Sequence, residues 1–235
     1  MNVTLIDHMG SDLSIVNAAR VSFDKTSHWE YDYNPIHDVA YNQRLYERDA
    51  KLISYLATHN HWSPFAHAFA SFRIKAPIFV ARQLVKHQVG LAWNEVSRRY
   101  VDSDPEFYTP ETWRKRADNV KQGSSEDAYV NVSGTNTPYM TKWGRAFTAR
   151  SLMNNCVAMY RSMIADGICP EQARMVLPQS MMTEWIWSGS LMAFARVCKL
   201  RLDPHSQKET REVAAQIDTH MEALFPVSWK ALMNG

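Results

Sequence analysis

Between Ala68 and Leu84 the hydrophobic period of the chain changes from two to about 3.6 with no spacer, so a strand must hand over directly to a helix. Ala68, Ala70, Phe72 and Ile74 alternate with Phe69, Ser71, Arg73 and Lys75, the pattern of a half-buried strand. From Ala76 the spacing turns helical, with Ile78, Phe79, Ala81, Leu84 and Val85 apolar and Pro77 suited to a first turn. Gly90 is expected to end this helix, which delivers Gln83, Lys86, His87 and Gln88 at its carboxyl end. The chain then turns toward Asn94, Glu95, Ser97, Arg98 and Arg99. A core helix closed by ordinary cations is the simplest account, because Lys and His suit the C-terminal dipole. The residues that follow argue for more. Amides, cations and one carboxylate lie among Val96 and Tyr100 with no amphipathic face to carry them all into solvent, which is the composition of a lined pocket.

With 235 residues and 46% hydrophobic content the chain can bury a real core, and its length suits one large domain. A net charge of +2 is too small to mark a nucleic-acid surface, although clustered arginines suit a small anionic ligand. Cys156, Cys169 and Cys198 lie far apart without paired metal-ligand spacing, and their odd number argues against a disulfide framework. A reducing, cytoplasmic setting is the simplest expectation. The opening MNVTLIDHMGSD has no basic region, and no segment approaches the roughly 20 apolar residues that span a bilayer, so neither a leader nor a membrane is expected.

Taken in order, residues 3–6 read as a short strand and 12–19 as a helix leading into Ala18, Ala19, Arg20, Val21 and Ser22. Asn34 and Pro35 read as cap and first turn of a helix from 35 to about 59, with Val39, Leu45, Leu52, Ile53 and Leu56 as its apolar stripe. The turn beyond it holds His59, His61 and His67. No cysteine or carboxylate stands beside them, and Trp62 and Pro64 favour a rigid aromatic turn, so no metal is assigned. Thr109, Pro110 and Glu111 read as the start of a short helix to about Ala117. Residues 118–137, poor in aliphatic side chains, read as a mobile surface loop. Pro138 opens a helix to about 166 with a stripe of Met and aromatic residues, and Pro170 opens another that Pro178 interrupts. Residues 181–187 are strand-like, a helix from about 189 to 199 ends at Arg201, and a final helix runs to about Phe225 with Val213, Ile217, Met221 and Leu224 inward.

Several of these blocks resemble the flavin-dependent thymidylate synthase family. Phe79-Val80-Ala81-Arg82-Gln83, Lys86-His87-Gln88 and Asn94-Glu95-Val96-Ser97-Arg98-Arg99-Tyr100 are similar to its FVARQ…NE.S.RY pattern, in which an Arg-His-Arg signature stands seven or eight residues before a Ser; here positions 89 to 96 make eight. The AARVS segment at 18–22, the H-x-[ST]-PFEH segment (His61, Ser63, Pro64, Phe65, His67) and the G…E.AR..LP block (Glu171, Arg174, Leu177, Pro178) fall in the same order. So do Thr183 with Trp187 and the R-x-D-x-H-A-Q-x-E block at 201–209, and together they cover the chain from about 18 to 209.

The resemblance implies a single α+β domain, a helical core packed on an antiparallel sheet, and a homotetramer whose active sites combine residues of several subunits. It implies conversion of dUMP to dTMP, with 5,10-methylenetetrahydrofolate as carbon donor and NADPH-reduced FAD as hydride source. It places dUMP at Gln83, Lys86, Glu95, Ser97, Arg98, Arg99, Arg174 and Arg201, and FAD at His61, Ser63, Lys86, His87, Gln88, Glu95, Ser190, Arg196 and His205; Arg20 and Ser22 gain interest by position. Arg201 is the expected catalytic residue, since a cation beside the pyrimidine N3 favours the anionic ring and activates its carbon for attack. The residue chemistry agrees. Arg98, Arg99 and Arg174 suit a phosphate, and Gln83 offers uracil a donor and an acceptor. Ser97 has neither a GxSxG elbow nor an adjacent base and is assigned to binding.

Five positions depart from the pattern. Lys86 and Gln88 replace both signature arginines, Ala66 replaces a Glu, and Ser190 and Met192 stand where the family has Asn and Arg. Two other readings therefore stay open: a pyrimidine nucleotide hydroxymethylase on the same scaffold, and a flavin-free nucleotide or nucleic-acid-binding module, against which the small net charge counts.

Overall fold

A computed structural model describes residues 1–34, 39–118, 124–128, 139–140, 142, 144 and 146–235. In chain order the elements are β1 (Asn2–Met9), α1 (Asp12–Arg20), β2 (Glu30–Asn34), β3 (Val39–Arg44), α2 (Glu47–Thr58), β4 (Phe69–Pro77), α3 (Ile78–Leu84), β5 (Leu91–Glu95), β6 (Arg114–Arg116), β7 (Ser124–Ala128), β8 (Tyr139–Met140), β9 (Ala146–Phe147), α4 (Ala149–Ala165), α5 (Pro170–Ala173), β10 (Met182–Ser190), α6 (Leu191–Arg201), α7 (Lys208–Leu224) and α8 (Pro226–Asn234).

The main sheet is antiparallel throughout, in the order β1-β4-β10-β5. Period two puts Ala70, Phe72, Ile74 and Ala76 of β4 and Trp185 and Trp187 of β10 on one buried face. Phe194 of α6 meets both strands edge-on, with ring centroids 5.2 Å from Phe72 and 5.4 Å from Trp187. Val197, Val213, Ile217 and Met221 complete the helical side of the core. Each such side chain contributes roughly 1.5–3 kcal/mol on burial, so this layer dominates the stability of the fold. On the opposite side of β10, the edge strand β5 stacks Trp93 on Trp185 with centroids 4.4 Å apart.

Two junctions position the chemistry. β4 passes into α3 at Pro77 and β10 passes into α6 at Ser190, each without a spacer. Because the strands are antiparallel, with Met182 opposite Pro77 and Ser190 opposite Phe69, the helices start from opposite ends of the sheet. Their carboxyl ends meet where Arg201 reaches Gln83 and His87. Gly189 lets β5 approach: a Cβ there would lie 2.6 Å from the Gly90 carbonyl oxygen and 2.4 Å from Leu91 Cδ2.

The single α+β domain and the strand-to-helix junction are as expected, and five local expectations are corrected. The helix expected over 35–59 is a strand at Val39–Arg44 followed by α2 from Glu47; β3 pairs with β2 just upstream, Asn34 opposite Val39, and that partner fixes strand over helix. The helix expected from 109 to 117 is instead β6, paired with β7. That pairing also makes Ser124–Ala128, inside the expected 118–137 loop, a strand, while 119–123 and 129–137 lie outside the described residues. The helix expected from 138 begins at Ala149, where the Thr148 hydroxyl accepts from Ser151 N at 3.0 Å and caps it; Pro138 lies outside the described residues. α3 also stops at Leu84, so Lys86, His87 and Gln88 occupy a turn that closes at Gly90, whose φ of +75° takes the left-handed conformation glycine favours.

One helix, α8, was not anticipated. Pro226 opens it, and the buried Asp12 carboxylate accepts its first amides, Val227 N at 3.0 Å and Ser228 N at 2.8 Å.

Candidate active site

Arg201 is the last residue of α6 and half-buried. Its Nε donates to His87 Nε2 at 3.0 Å and its Nη2 to the Gln83 carbonyl at 3.2 Å. Accepting from a guanidinium requires a lone pair on Nε2, so His87 is neutral here with its proton on Nδ1. Burial, reinforced by the Arg201 charge, holds the His87 pKa below its ordinary value. Burial also lowers that of Arg201, which stays a cation.

The Gln83 amide is held on three sides. Its Nε2 donates to Gln207 Oε1 at 2.5 Å and weakly to Phe79 O at 3.4 Å, and its Oε1 accepts from Thr210 Oγ1 at 3.2 Å. A cleft of about 460 Å³ opens onto this group, lined by Gln83, Arg114, Ser124, Arg201, His205 and Gln207. The exposed His205 is turned toward Asp203, its backbone N–H 2.7 Å and its Nδ1 2.9 Å from Oδ1. The backbone and ring contacts of His205 lower the Asp203 pKa.

A second cleft, of about 390 Å³, contains Glu95, Arg98 and Arg174. Glu95 accepts from Thr183 Oγ1 at 2.7 Å and from Trp93 Nε1 at 3.2 Å, which holds the carboxylate on the edge strand. Arg98 donates to the Ser103 carbonyl. Arg174 is exposed and held by one bond, Nε to the Glu171 carbonyl at 3.3 Å. Ser97 Oγ accepts from the Arg99 backbone at 3.4 Å and its Nε at 3.3 Å, while that guanidinium sits 5.0 Å from the Tyr100 ring centroid.

The third cleft is the largest, about 990 Å³, and includes Arg20, Lys25, Arg48, Tyr55, His61, Trp62 and Ser63. Small-molecule sites span ~300–1,000 Å³, so this one suits a dinucleotide-sized ligand. Tyr55 stacks on His59 at 4.0 Å and Trp62 is 55% exposed, giving flat surfaces beside three cations. That combination fits the rings and diphosphate of FAD. Arg20 also pairs with Asp49, which is fully buried on α2, so this side chain builds the wall as well.

The expected residues thus gather in three places rather than one. Gln83, His87, Arg201 and His205 come together; so do Glu95, Arg98 and Arg174; and so do His61 and Ser63 with Arg20 and Ser22. Lys86, Gln88 and Arg196 are exposed outside these linings. Ser190 is buried, with its Oγ accepting from Ala193 N at 3.2 Å as the cap of α6. Sequence reasoning missed Arg114, whose guanidinium grips Glu209 at 2.8 and 2.9 Å. The pair lies 95 positions apart, and no local pattern announces it.

The family model described as thymidylate synthase complementing protein matches residues 4–227. A flavin-dependent thymidylate synthase of Thermus thermophilus is 35% identical over 229 residues, which cover 97% of this chain and 74% of that protein. The chain belongs to the flavin-dependent thymidylate synthase family. The flavin-dependent thymidylate synthase of Kosmotoga olearia is 34% identical over 234 residues, covering 99% of this chain and 90% of that one. Among solved structures, the UMP/dUMP methylase PolB of Streptomyces cacaoi bound with 5-Br dUMP superposes with a TM-score of 0.75 at 26% identity, covering 99% of this chain and 94% of that one. The fold that resemblance implied is the fold present, and the chain is an enzyme of flavin-dependent thymidylate synthase type, a family that implies FAD. Among the described residues no group of three or more His, Cys, Asp and Glu side chains is arranged to hold a metal, and no helix is long and apolar enough to cross a membrane.

Proposed function

We propose that this chain converts dUMP to dTMP, taking the carbon from 5,10-methylenetetrahydrofolate and reducing power from NADPH. The observation that carries the reading is the Arg201 guanidinium, fixed by His87 and Gln83 on the wall of an open cleft. A half-buried cation stabilises negative charge developing on a pyrimidine ring more strongly than it would in bulk water. Its two acceptors hold it before substrate arrives, so little reorganisation accompanies the reaction.

Gln83 contributes differently from the sequence expectation. Both its amide hydrogens are engaged internally, so Oε1 offers one lone pair to an N–H of the base; the long bond to Phe79 O is the one a base carbonyl would displace. Arg174 and Arg98 offer the phosphate a two-cation clamp, and Ser97 and Arg99 flank Arg98 in the chain outside that lining. Lys86 and Glu95 complete the dUMP set.

FAD, when bound, supplies the hydride. In this reading His61 and Ser63 hold it together with the cations of the large cleft, while Lys86, His87, Gln88, Glu95, Arg196 and His205 approach it from other copies. Ser190 acts from behind, through the start of α6. A homotetramer with shared sites is what would unite residues that line three separate clefts of one chain. Three free cysteines suit a reducing, cytoplasmic setting.

The replacements at Lys86, Gln88, Ala66, Ser190 and Met192 support a second reading, hydroxymethyl transfer to the same pyrimidine. Anaerobic titration of the flavin-loaded protein with dUMP, followed by mass analysis of turnover products, tests both; UMP belongs in the same assay because the similar PolB is described as a UMP/dUMP methylase. A methylated product supports the first reading and a hydroxymethylated one the second. A protein that binds neither nucleotide contradicts both.

A further inference from the structure

We infer that Gln207, at the start of α7, is a positioning residue that sets base specificity: it holds the Gln83 amide in the sense that reads uracil and rejects cytosine. The inference rests on the reading that Gln83 faces the base. Gln207 Oε1 accepts from Gln83 Nε2 at 2.5 Å, while Thr210 on α7 donates its hydroxyl to Gln83 Oε1 at 3.2 Å. One helical turn therefore holds both ends of one amide. Thr210 is fully buried, and its backbone N–H donates to the Gln207 carbonyl at 3.0 Å, so the two grips share a single frame.

Which way round the amide sits follows from its neighbours. Phe79 O, 3.4 Å from Gln83 Nε2 and four residues back on α3, is a main-chain carbonyl that can only accept. Turning the Gln83 amide over would set its oxygen against that carbonyl and against Gln207 Oε1, three acceptors with no hydrogen between them. Gln207 could relieve this only by turning its own amide as well, which leaves the conflict with Phe79 O in place. The contact with Phe79 is long and that with Gln207 short, so Gln207 carries most of the selection.

The consequence lies at the hydrogen-bonding edge of the base. Uracil carries N3–H beside O4, a donor next to an acceptor; cytosine carries an N3 lone pair beside its exocyclic amino group, the reverse. Gln83, with Oε1 and Nε2 side by side, matches the first pair and opposes the second at both atoms. The cations of the cleft do not choose between them: Arg114 and Arg201 only donate, and both bases present O2. Discrimination falls to the amide whose sense is fixed, because the wrong base leaves its polar atoms unpaired.

The test is the ratio of dUMP to dCMP affinity, measured by calorimetry on the full chain and on Gln207→Glu, Gln207→Met and Gln207→Lys. The two nucleotides share sugar and phosphate, so the ratio cancels the effect of a substituted charge on either. Two mismatched hydrogen bonds make the parent prefer dUMP by on the order of 10²-fold. A carboxylate only accepts, so Gln207→Glu keeps or widens the preference. Gln207→Met offers no acceptor and should narrow it roughly tenfold, the worth of about one hydrogen bond. An ammonium only donates, so Gln207→Lys draws the Gln83 oxygen toward itself and should bring the two affinities to about parity. Gln207 makes no side-chain cap to α7, so the helix start survives each substitution, and the uncharged Gln207→Met keeps the test open if a charged variant does not fold. A merely structural contact predicts equal weakening of both nucleotides. A ratio unchanged across the series therefore overturns the inference, as does a parent that binds the two nucleotides equally, and in both cases dUMP binding itself stands. A parent that binds no dUMP overturns the pyrimidine reading, and this inference with it.

Discussion

Arg201 and Arg174 both stand at the carboxyl ends of helices, and the protein holds them in opposite ways. Arg201 is half-buried, with a ring nitrogen and a carbonyl at 3.0 and 3.2 Å defining its plane. Arg174 is exposed and rests on one carbonyl at 3.3 Å, three residues back in its own turn. A cation fixed in advance acts on charge that develops later in the reaction, whereas a mobile one must be ordered by the ligand it meets. The contrast separates turnover from binding.

The sharpest way to break that contrast is Arg201→Ala. Loss of one preorganised electrostatic stabiliser lowers kcat by on the order of 10²-fold or more, and steady-state kinetics on the folded, flavin-loaded variant reads it. A near-normal kcat with only a raised KM for dUMP would put Arg201 in the same class as Arg174. The counterpart, Arg174→Ala, should raise KM for dUMP roughly tenfold while kcat stays close to the parent value, because a charged hydrogen bond of about 1.5–3 kcal/mol is removed from ground state and transition state alike. A fall in kcat would erase the distinction.

Lys86→Arg sharpens the comparison by giving the exposed turn a planar fork. Lys cannot make a bidentate contact, so the substitution should tighten FAD binding several-fold, by about 0.5–1.5 kcal/mol, measured by flavin fluorescence titration. Unchanged affinity would show that the turn does not touch the cofactor.

The smallest effect concerns the group that holds Arg201. His87 titrates below its unfolded value, so its contribution to stability is complete above ~6.5 and declines as pH falls through the folded pKa. Chemical denaturation across that window should show the decline. In Arg201→Ala it should be shallower, since the neighbouring charge is gone while burial remains. An identical slope in both proteins would deny the coupling.

Much of this was readable in the sequence because the signals are local. The junction of β4 with α3 is written in two adjacent periodicities, and Phe72, Ile74 and Leu84 are buried as those patterns require. Where a pairing partner decides, the sequence misled: Val39 and Leu45 fit a helical stripe, yet β3 is drawn into a strand by β2, and polar Ser124–Ala128 becomes a strand against Arg114–Arg116. The site followed the same rule. Individual residues were marked by short blocks, but the tie between Gln83 and Gln207 spans 124 positions, and the division into three clefts depends on packing that no block records.

The indole of Trp93 has a further use. It stacks on Trp185 at 4.4 Å and donates to Glu95 at 3.2 Å, so one chromophore touches both the packed interior and the carboxylate of the second cleft. A ligand that draws Glu95 toward itself must release that N–H and disturb the stacked pair. Part of the intrinsic emission then reports occupancy without any attached dye, and a Trp93→Phe protein, which keeps the other seven tryptophans, is the reference against which that part is read.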